Sequence, residues 1–347
     1  MNIFMKFFIQ VKMLDNKRFF KSAYGKIGLM LILAFTVVIS VRFGSAQMSW
    51  WEFFAAVFKQ QGSETYSTII YNVRLPRVLA ALLAGVGLSV SGVLLQAVTL
   101  NSLASPNIIG VNAGAGLWVI MAMFFLPSAI YLRPFFAFFG AFVTTMVIIA
   151  VASRVGTSKS TVILAGIAVT ALLNAGISFM SYFDSDLLSG YNYFSVGGVS
   201  GVSMDELYIP CLIIAVSFLL AVFISGKADV LCLGDSIALS LGVNVKVIRT
   251  FCLILASASA AAVVSFAGLL GFVGLVVPHI GRKLVGSALK DLLGVSALLG
   301  AILVMVADLL GRVLFAPSEI PVGIVMAFVG APFLFYLLVR RKNNAEV

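Results

Sequence analysis

Charged residues are scarce in this sequence. Only 10% of its 347 residues are Asp, Glu, Lys or Arg, whereas 61% are hydrophobic. A soluble domain has about a quarter of its residues charged. So little polar surface cannot cover so apolar a chain, and lipid must cover part of it. The sequence therefore predicts an all-α membrane protein.

Residues and motifs that several enzyme classes require are also missing. The single histidine, His279, excludes an HExxH zinc site and any chemistry that needs two histidines. Cys211, Cys232 and Cys252 form no CxxC pair, so neither a zinc site nor a disulfide framework is predicted. There is no GxxxxGK[ST] loop for ATP. We expect no catalytic residue, no metal site and no cofactor bound by this chain, and a packing or capping role for His279.

Long apolar runs dominate what is present. A membrane-spanning helix needs about 20 mostly apolar residues, and the sequence predicts ten such spans, with a basic segment at 1–26 before them and a short tail at 341–347 after them. The spans lie near 27–43, 75–100, 108–127, 132–153, 160–183, 206–226, 247–266, 268–286, 292–314 and 320–339.

The distribution of basic residues predicts the orientation. With the N-terminus inside and ten alternating spans, 17 of the 23 Lys and Arg residues fall on the inner side. Basic residues favour the cytoplasmic side, so both termini are predicted to be cytoplasmic. The formal net charge of +10 is then a topology signal, and nucleic acid is unnecessary as a partner.

Polar side chains at membrane depth are costly and mark either helix contacts or a transport path. Asn174 and Ser178, four residues apart on one helical face, fit both interpretations equally well. Asp308 and Arg312 have the same spacing and can pair along their helix. The full set of candidates is Gln96, Asn101, Asn112, Asn174, Ser178 and Asp308. So few buried ionisable groups disfavour a proton-coupled transporter, and an external energy source is expected.

The predicted cytoplasmic segment 227–246 contains a helix too short to cross a membrane. Gly234 is predicted to interrupt the preceding helix, and Asp235 or Ser236 can cap the short helix that follows. Its apolar face is predicted to contain Ile237, Ala238 and Leu241, and Gly242 is predicted to end it. Such a helix either docks a soluble partner through its apolar face or rests on the inner leaflet.

This segment resembles the coupling helix of the FecCD-type permeases, the membrane subunits of ABC importers for ferric siderophores, haem and cobalamin. Four further motifs are similar, in the same order, from about residue 27 to 340. The similar stretches are RLPRV at 74–78, NSLASPNIIGV at 101–111, LGDSIALSLGV at 233–243, FVGLVVPHIGR at 272–282, and ADLLGR at 307–312 with EIPVG at 319–323.

The resemblance implies an architecture, a function and a set of partners. It implies a type II importer permease of ten helices, with a second permease subunit forming a homodimer around one central path. Two cytoplasmic ABC ATPase subunits would bind ATP and magnesium, and an extracytoplasmic binding protein would deliver the ligand. The expected function is import of a ferric siderophore across the bacterial cytoplasmic membrane by alternating access. The alternatives are haem or cobalamin import and, less favoured, an ion-coupled secondary transporter.

The resemblance also assigns roles to individual residues. Arg74, Arg77 and Arg312 match positions that meet acidic residues of the binding protein. The residues expected to contact the ATPase are Gly234, Asp235, Ala238, Leu241 and Gly242. The translocation path is expected to include Asn101, Leu103, Lys159 and Ser160, together with Asn174 and Ser178 from the analysis of polar residues.

Overall fold

A computed structural model describes residues 20, 22–44, 48–60, 62–155 and 159–343. Within these ranges every regular element is helical, and no β-strand occurs. The side chains of 108, 152, 153, 155, 159–163, 338 and 340–343 are not described. Most of the predicted basic segment 1–26 and residues 344–347 of the predicted tail lie outside the described residues.

The α-helices follow one another with short connections. They are α1 (Ala23–Arg42), α2 (Trp50–Val57), α3 (Glu64–Thr68), α4 (Leu75–Thr99), α5 (Val111–Phe125), α6 (Arg133–Val155), α7 (Lys159–Phe183), α8 (Ser185–Val196), α9 (Met204–Leu231), α10 (Asp235–Ser240), α11 (Val245–Ala267), α12 (Val273–Val285), α13 (Leu289–Val313) and α14 (Val322–Asn343). A π-helical stretch, Ile69–Arg74, joins α3 to α4, so 64–99 is continuous helix.

Seven helical stretches in the described part of the chain are long and apolar enough to cross a membrane. They are Ala23–Arg42, Glu64–Thr99, Ile130–Val151, Leu164–Phe183, Met204–Leu231, Val245–Ala267 and Leu289–Val313. Two further apolar helices, Val111–Phe125 and Val322–Leu337, are shorter. Each of the nine stretches overlaps a predicted span, and seven of the ten predictions are confirmed as full-length apolar helices.

The predicted span at 268–286 differs most from the structure. Its helical part, α12, has only 13 residues, which make a rod of about 20 Å, shorter than the ~30 Å hydrocarbon core. Gly268 (φ 66°) and Phe272 (φ 65°) both have positive φ angles, which a right-handed helix does not contain, and the stretch between them is not helical. The turn expected at 266–269 is present, because α11 ends at Ala267.

Helix α4 lies at the centre of the bundle and packs against α9, α11, α12 and α13. Glycines allow the closest of these approaches. A Cβ atom added to Gly85 would lie 2.1 Å from the carbonyl oxygen of Gly300 on α13, and one added to Gly92 would lie 2.0 Å from that of Gly274 on α12. Small residues permit such backbone contacts where lipid gives apolar side chains little drive to associate. Glycine therefore allows close helix packing at these positions.

Ion pairs and hydrogen bonds define two opposite ends of the bundle. At one end, Lys26 near the start of α1 pairs with Asp291 near the start of α13 (2.8 Å). The amide of Leu289 there donates to Asp229 Oδ1 at the end of α9 (2.9 Å), and α10 follows directly. At the other end, Arg312 near the end of α13 donates to backbone carbonyls at the end of α1.

Candidate partner-docking and translocation sites

Helix α10 is a short helix of six residues between the end of α9 and the start of α11. Ala238 is fully buried in a small apolar cluster with Leu231 of α9 and Val245 of α11. Asp235 Oδ1 accepts a hydrogen bond from Arg249 Nη2 of α11 (2.7 Å), and the Arg249 side chain is only 7% exposed. This apolar contact and this ion pair hold α10 in one orientation.

Large apolar side chains around α10 are uncovered, in contrast to Ala238. Ile237, Leu239 and Leu241 are 50%, 63% and 61% exposed. Large apolar side chains grouped on an exposed surface commonly mark a binding site. An anchored short helix with exposed apolar side chains suits insertion into a groove of a partner.

Two details of the sequence prediction for this segment are corrected. Ala238 was expected on the partner-facing surface, but its burial against α9 and α11 makes it an anchor of the helix instead. The N-cap is Gly234 (φ 109°), and no side chain caps the helix, because Asp235 is already inside it and pairs with Arg249. Gly242 (φ 76°) follows the last turn in the left-handed conformation, which confirms its role in ending the helix.

Buried charges form a network at the other end of the bundle. Arg77 Nε donates to Asp308 Oδ1 (3.0 Å), and Arg77 Nη1 donates to Glu319 Oε2. Arg312 Nε lies 3.0 Å from Asp308 Oδ2 one helical turn away, so the predicted pairing along α13 is confirmed. The side chains of Arg77, Asp308 and Arg312 are 8%, 1% and 3% exposed. One carboxylate therefore holds two guanidinium groups.

Two arginines, Arg74 and Arg312, donate hydrogen bonds to the C-terminus of α1. Arg74 Nη1 donates to the carbonyls of Val41 (3.0 Å) and Arg42 (2.6 Å), and Arg312 donates to those of Ser40 and Phe43 (both 3.1 Å). These carbonyls carry the negative end of the helix dipole, so the two arginines compensate it and fix the end of α1. The docking role predicted for Arg74, Arg77 and Arg312 stays a prediction, and it requires the network to open.

The predicted path residues occupy two places. Asn101 Oδ1 accepts from the amide of Leu103 (3.0 Å) in the turn after α4, where Leu100 adopts φ 49°. Asn174 and Ser178 lie on α7, and both are exposed. The 3₁₀ segment Pro106–Ile109 connects the two places, because it follows the turn and packs against α7. Lys159 and Ser160 begin α7, but their side chains lie outside the described residues.

Gln96 joins three parts of the bundle beside this turn. Its Nε2 donates to the carbonyls of Ala104 (3.3 Å) and Gly274 (3.2 Å), and its Oε1 accepts from Arg282 Nη1. Gln96 is 3% exposed, so of the two interpretations, interhelical hydrogen bonding is the correct one here. The role of Arg282 was missed, although the predicted span 268–286 places it close to the predicted inner end.

His279 packs edge-on against Phe333 of α14, with ring centroids 5.7 Å apart. This contact confirms the predicted packing role.

Residues 32–340 match the model of the FecCD transport family. The chain belongs to this family. Among the relatives of this FecCD permease, the Fe(3+)-citrate import system permease protein YfmE of Bacillus subtilis is 36% identical over 89% of this chain and 93% of its own length. The probable heme-iron transport system permease protein IsdF of Staphylococcus aureus is 35% identical over 91% of this chain and 95% of its own length.

A solved structure gives the same fold. It is described as a metal-chelate type ABC transporter in an inward-facing conformation, with a TM-score of 0.81 and 29% identity, over 92% of this FecCD permease and 100% of that chain. The FecCD permease is thus a multi-pass subunit of an ABC importer in the cytoplasmic membrane. Permease subunits of this kind are not themselves enzymes, so the chain's work is transport.

Proposed function

We propose that this FecCD permease imports a ferric siderophore and that a separate ATPase drives it through α10. The observation that carries the proposal is the anchored α10 with its exposed Ile237, Leu239 and Leu241. A surface of this kind is costly to leave in water and fits a groove on a soluble subunit. ATP and magnesium would bind to that subunit, in two copies, and this chain would bind no cofactor.

The proposed orientation has both termini and α10 in the cytoplasm. The excess of basic residues on the predicted inner side supports it. We further propose that ten helices cross or enter the membrane, with α5, α12 and α14 completing the seven long spans. In this arrangement the network of Arg77 and Asp308 lies at the extracytoplasmic end.

The proposed functional unit is a homodimer around a central path. Helix α7 supports this, because only 11% of its most apolar stretch is buried and its exposed residues include Asn174 and Ser178. Two exposed polar side chains on one helix suit a water-filled path better than contact with lipid. Closure of the ATPases would move α10 and shift the path between outward and inward openings. ATP would drive this shift because it would bind one of the two conformations more tightly than the other.

Delivery of the ligand is proposed to involve an extracytoplasmic binding protein that meets Arg74, Arg77 and Arg312. Arg77 is the best placed of the three, because its partner Glu319 is 30% exposed. A carboxylate of the binding protein would replace Glu319 in a charge-assisted pair with Arg77.

The choice of ligand rests on relatives and on the chemistry of the path. The names of the relatives specify ferric citrate and haem iron, and a third is the achromobactin permease CbrC of Dickeya dadantii, 36% identical over 92% of each chain. A chelate brings its own ligand sphere, so uncharged path residues such as Asn174 are sufficient, whereas a bare ion needs closely set ligands. Haem or cobalamin is the second candidate.

Co-purification with the ATPase tests the coupling proposal. The Leu241→Glu variant should lose the ATPase during purification in detergent, because it places a charge in the apolar contact. Ser287→Glu, which adds the same charge at an exposed turn between α12 and α13, is the matched control and should retain it. Retention by both variants would contradict the proposal.

Uptake of radioactive iron tests the ligand. Cells that depend on this permease should accumulate iron from a ferric siderophore, and excess unlabelled haemin should not compete. Competition by haemin, or uptake from haemin alone, would favour the second candidate.

A further inference from the structure

A groove on the outside of the bundle lies between α1, α9 and α13, and the mechanism proposed above does not use it. It has a volume of about 370 Å³, within the range of small-molecule sites. Its walls are apolar, and its polar lining consists of Lys26, Lys290 and Asp291. Its other lining residues are Met30, Val86, Phe218, Gly294, Ala297 and Leu298.

The charges of the groove are collected at one end. Lys26 lies near the start of α1, while Lys290 and Asp291 lie in the first turn of α13. Lys26 Nζ is 2.8 Å from Asp291 Oδ1, with 40% of the Lys26 side chain exposed. Three donors on an ammonium group leave Lys26 able to bind a second acceptor. Lys290 is exposed, so two ammonium groups and one carboxylate give this end a net charge of +1.

The apolar part continues along α13 toward the middle of the bundle. Gly294 lies one turn after Lys290, and Leu298 lies two turns after it, so the groove extends about 12 Å along the helix. A Cβ atom added to Gly294 would meet nothing within 4 Å, which shows that the glycine leaves the groove open. Helices α1 and α9, which form the other walls, are the least buried long helices after α7, so the groove opens toward lipid.

We infer that this groove binds a phospholipid with an anionic headgroup in the cytoplasmic leaflet. The phosphodiester, with one negative charge, would contact Lys26 and Lys290, whose net positive charge with Asp291 disfavours a headgroup that carries its own cation. An acyl chain would lie beside Gly294 between Met30 and Phe218. Basic pockets between spanning helices on the cytoplasmic side suit acidic headgroups. The apolar groove below the charges favours a lipid over free phosphate, which would use only the charged end.

The test is native mass spectrometry of the purified permease titrated with dioleoylphosphatidylglycerol or dioleoylphosphatidylcholine. The wild type should bind the first lipid at least fivefold more tightly. Lys290→Gln should weaken that binding about fivefold, the effect of one basic residue near a membrane surface. Lys246→Gln, an exposed lysine outside the groove, should leave it unchanged.

A steric pair provides the second arm. Gly294→Leu should remove one tightly bound lipid, because its side chain fills the groove. Gly226→Leu is the control, since Gly226 on α9 is equally unobstructed and does not line the groove. Equal binding of the two lipids, or full binding by Gly294→Leu, would overturn the inference. Displacement by glycerol phosphate at the same concentration as the lipid would overturn it in favour of a free phosphate site.

Discussion

Arg312 Nε lies 3.0 Å from Asp308 Oδ2 on the same face of α13, and both side chains are almost completely buried. Asp308 also accepts from Arg77 of α4, so this carboxylate links the two helices that make the most extensive contact in the bundle. Buried charges are tolerable only when they are paired and hydrogen-bonded. The stability of this end of the bundle therefore depends on Asp308.

Replacement of Asp308 by Asn should strongly destabilise the permease. The change removes the negative charge that neutralises the buried guanidinium groups of Arg77 and Arg312, and breaking a buried pair costs about 3–5 kcal/mol. Thermal unfolding in detergent measures the effect. Asp205→Asn, at an exposed position at the start of α9, is the control, and equal melting temperatures for the two variants would contradict the structural role of Asp308.

Two glycines of α13 should respond in opposite ways to alanine. A Cβ at Gly300 would lie 2.3 Å from the carbonyl oxygen of Gly85, whereas one at Gly294 meets open space. Gly300→Ala forces α4 and α13 apart and should cost about 1–3 kcal/mol, while Gly294→Ala should be neutral or slightly stabilising, because alanine favours helix. Equal thermal stability of the two variants would show that the close contact is unimportant.

Removal of the charge at Asp235 should loosen α10 without unfolding the bundle. Asp235→Asn weakens the pair with Arg249, so amide hydrogens of α10 should exchange several-fold faster while those of α11 keep their rates. Hydrogen exchange with mass spectrometry resolves the two helices. Unchanged exchange in α10 would mean that the Ala238 contact alone anchors it.

A cysteine at Asn174 should react with a water-soluble maleimide in membranes if α7 lines the path. Leu212 on α9 is the control, because it is 65% exposed and lies in one of the most apolar helices. In a background without native cysteines, Leu212→Cys should label at least tenfold more slowly. Equal rates would place Asn174 in lipid.

Much of this fold could be predicted from composition and local pattern. Long apolar runs fixed the positions of seven spans because hydropathy acts over some 20 residues at once. The spacing of Asp308 and Arg312 was sufficient to predict their contact, since residues four apart share a helix face. Gly242 ended α10 as expected because its left-handed conformation is a local property of glycine.

Tertiary contacts explain the rest. The length of α12 could not be predicted from a local stretch of sequence, because Phe272 at its start packs closely against Gly330 of α14, where an added Cβ would lie 2.2 Å from the Phe272 ring. The burial of Ala238 depends on how α9 and α11 approach each other, and no short stretch of sequence determines that packing. The link from Arg77 to Asp308 spans 231 residues, and only the packing of α4 on α13 makes it.

The most direct measurement concerns the accessibility of α10. In a cysteine-free background, Ser240→Cys should react with a membrane-impermeant maleimide in inside-out vesicles and not in right-side-out vesicles. Addition of the ATPase subunit should protect the inside-out sample at least tenfold. Labelling from the external side, or equal labelling with and without the ATPase, would contradict the account.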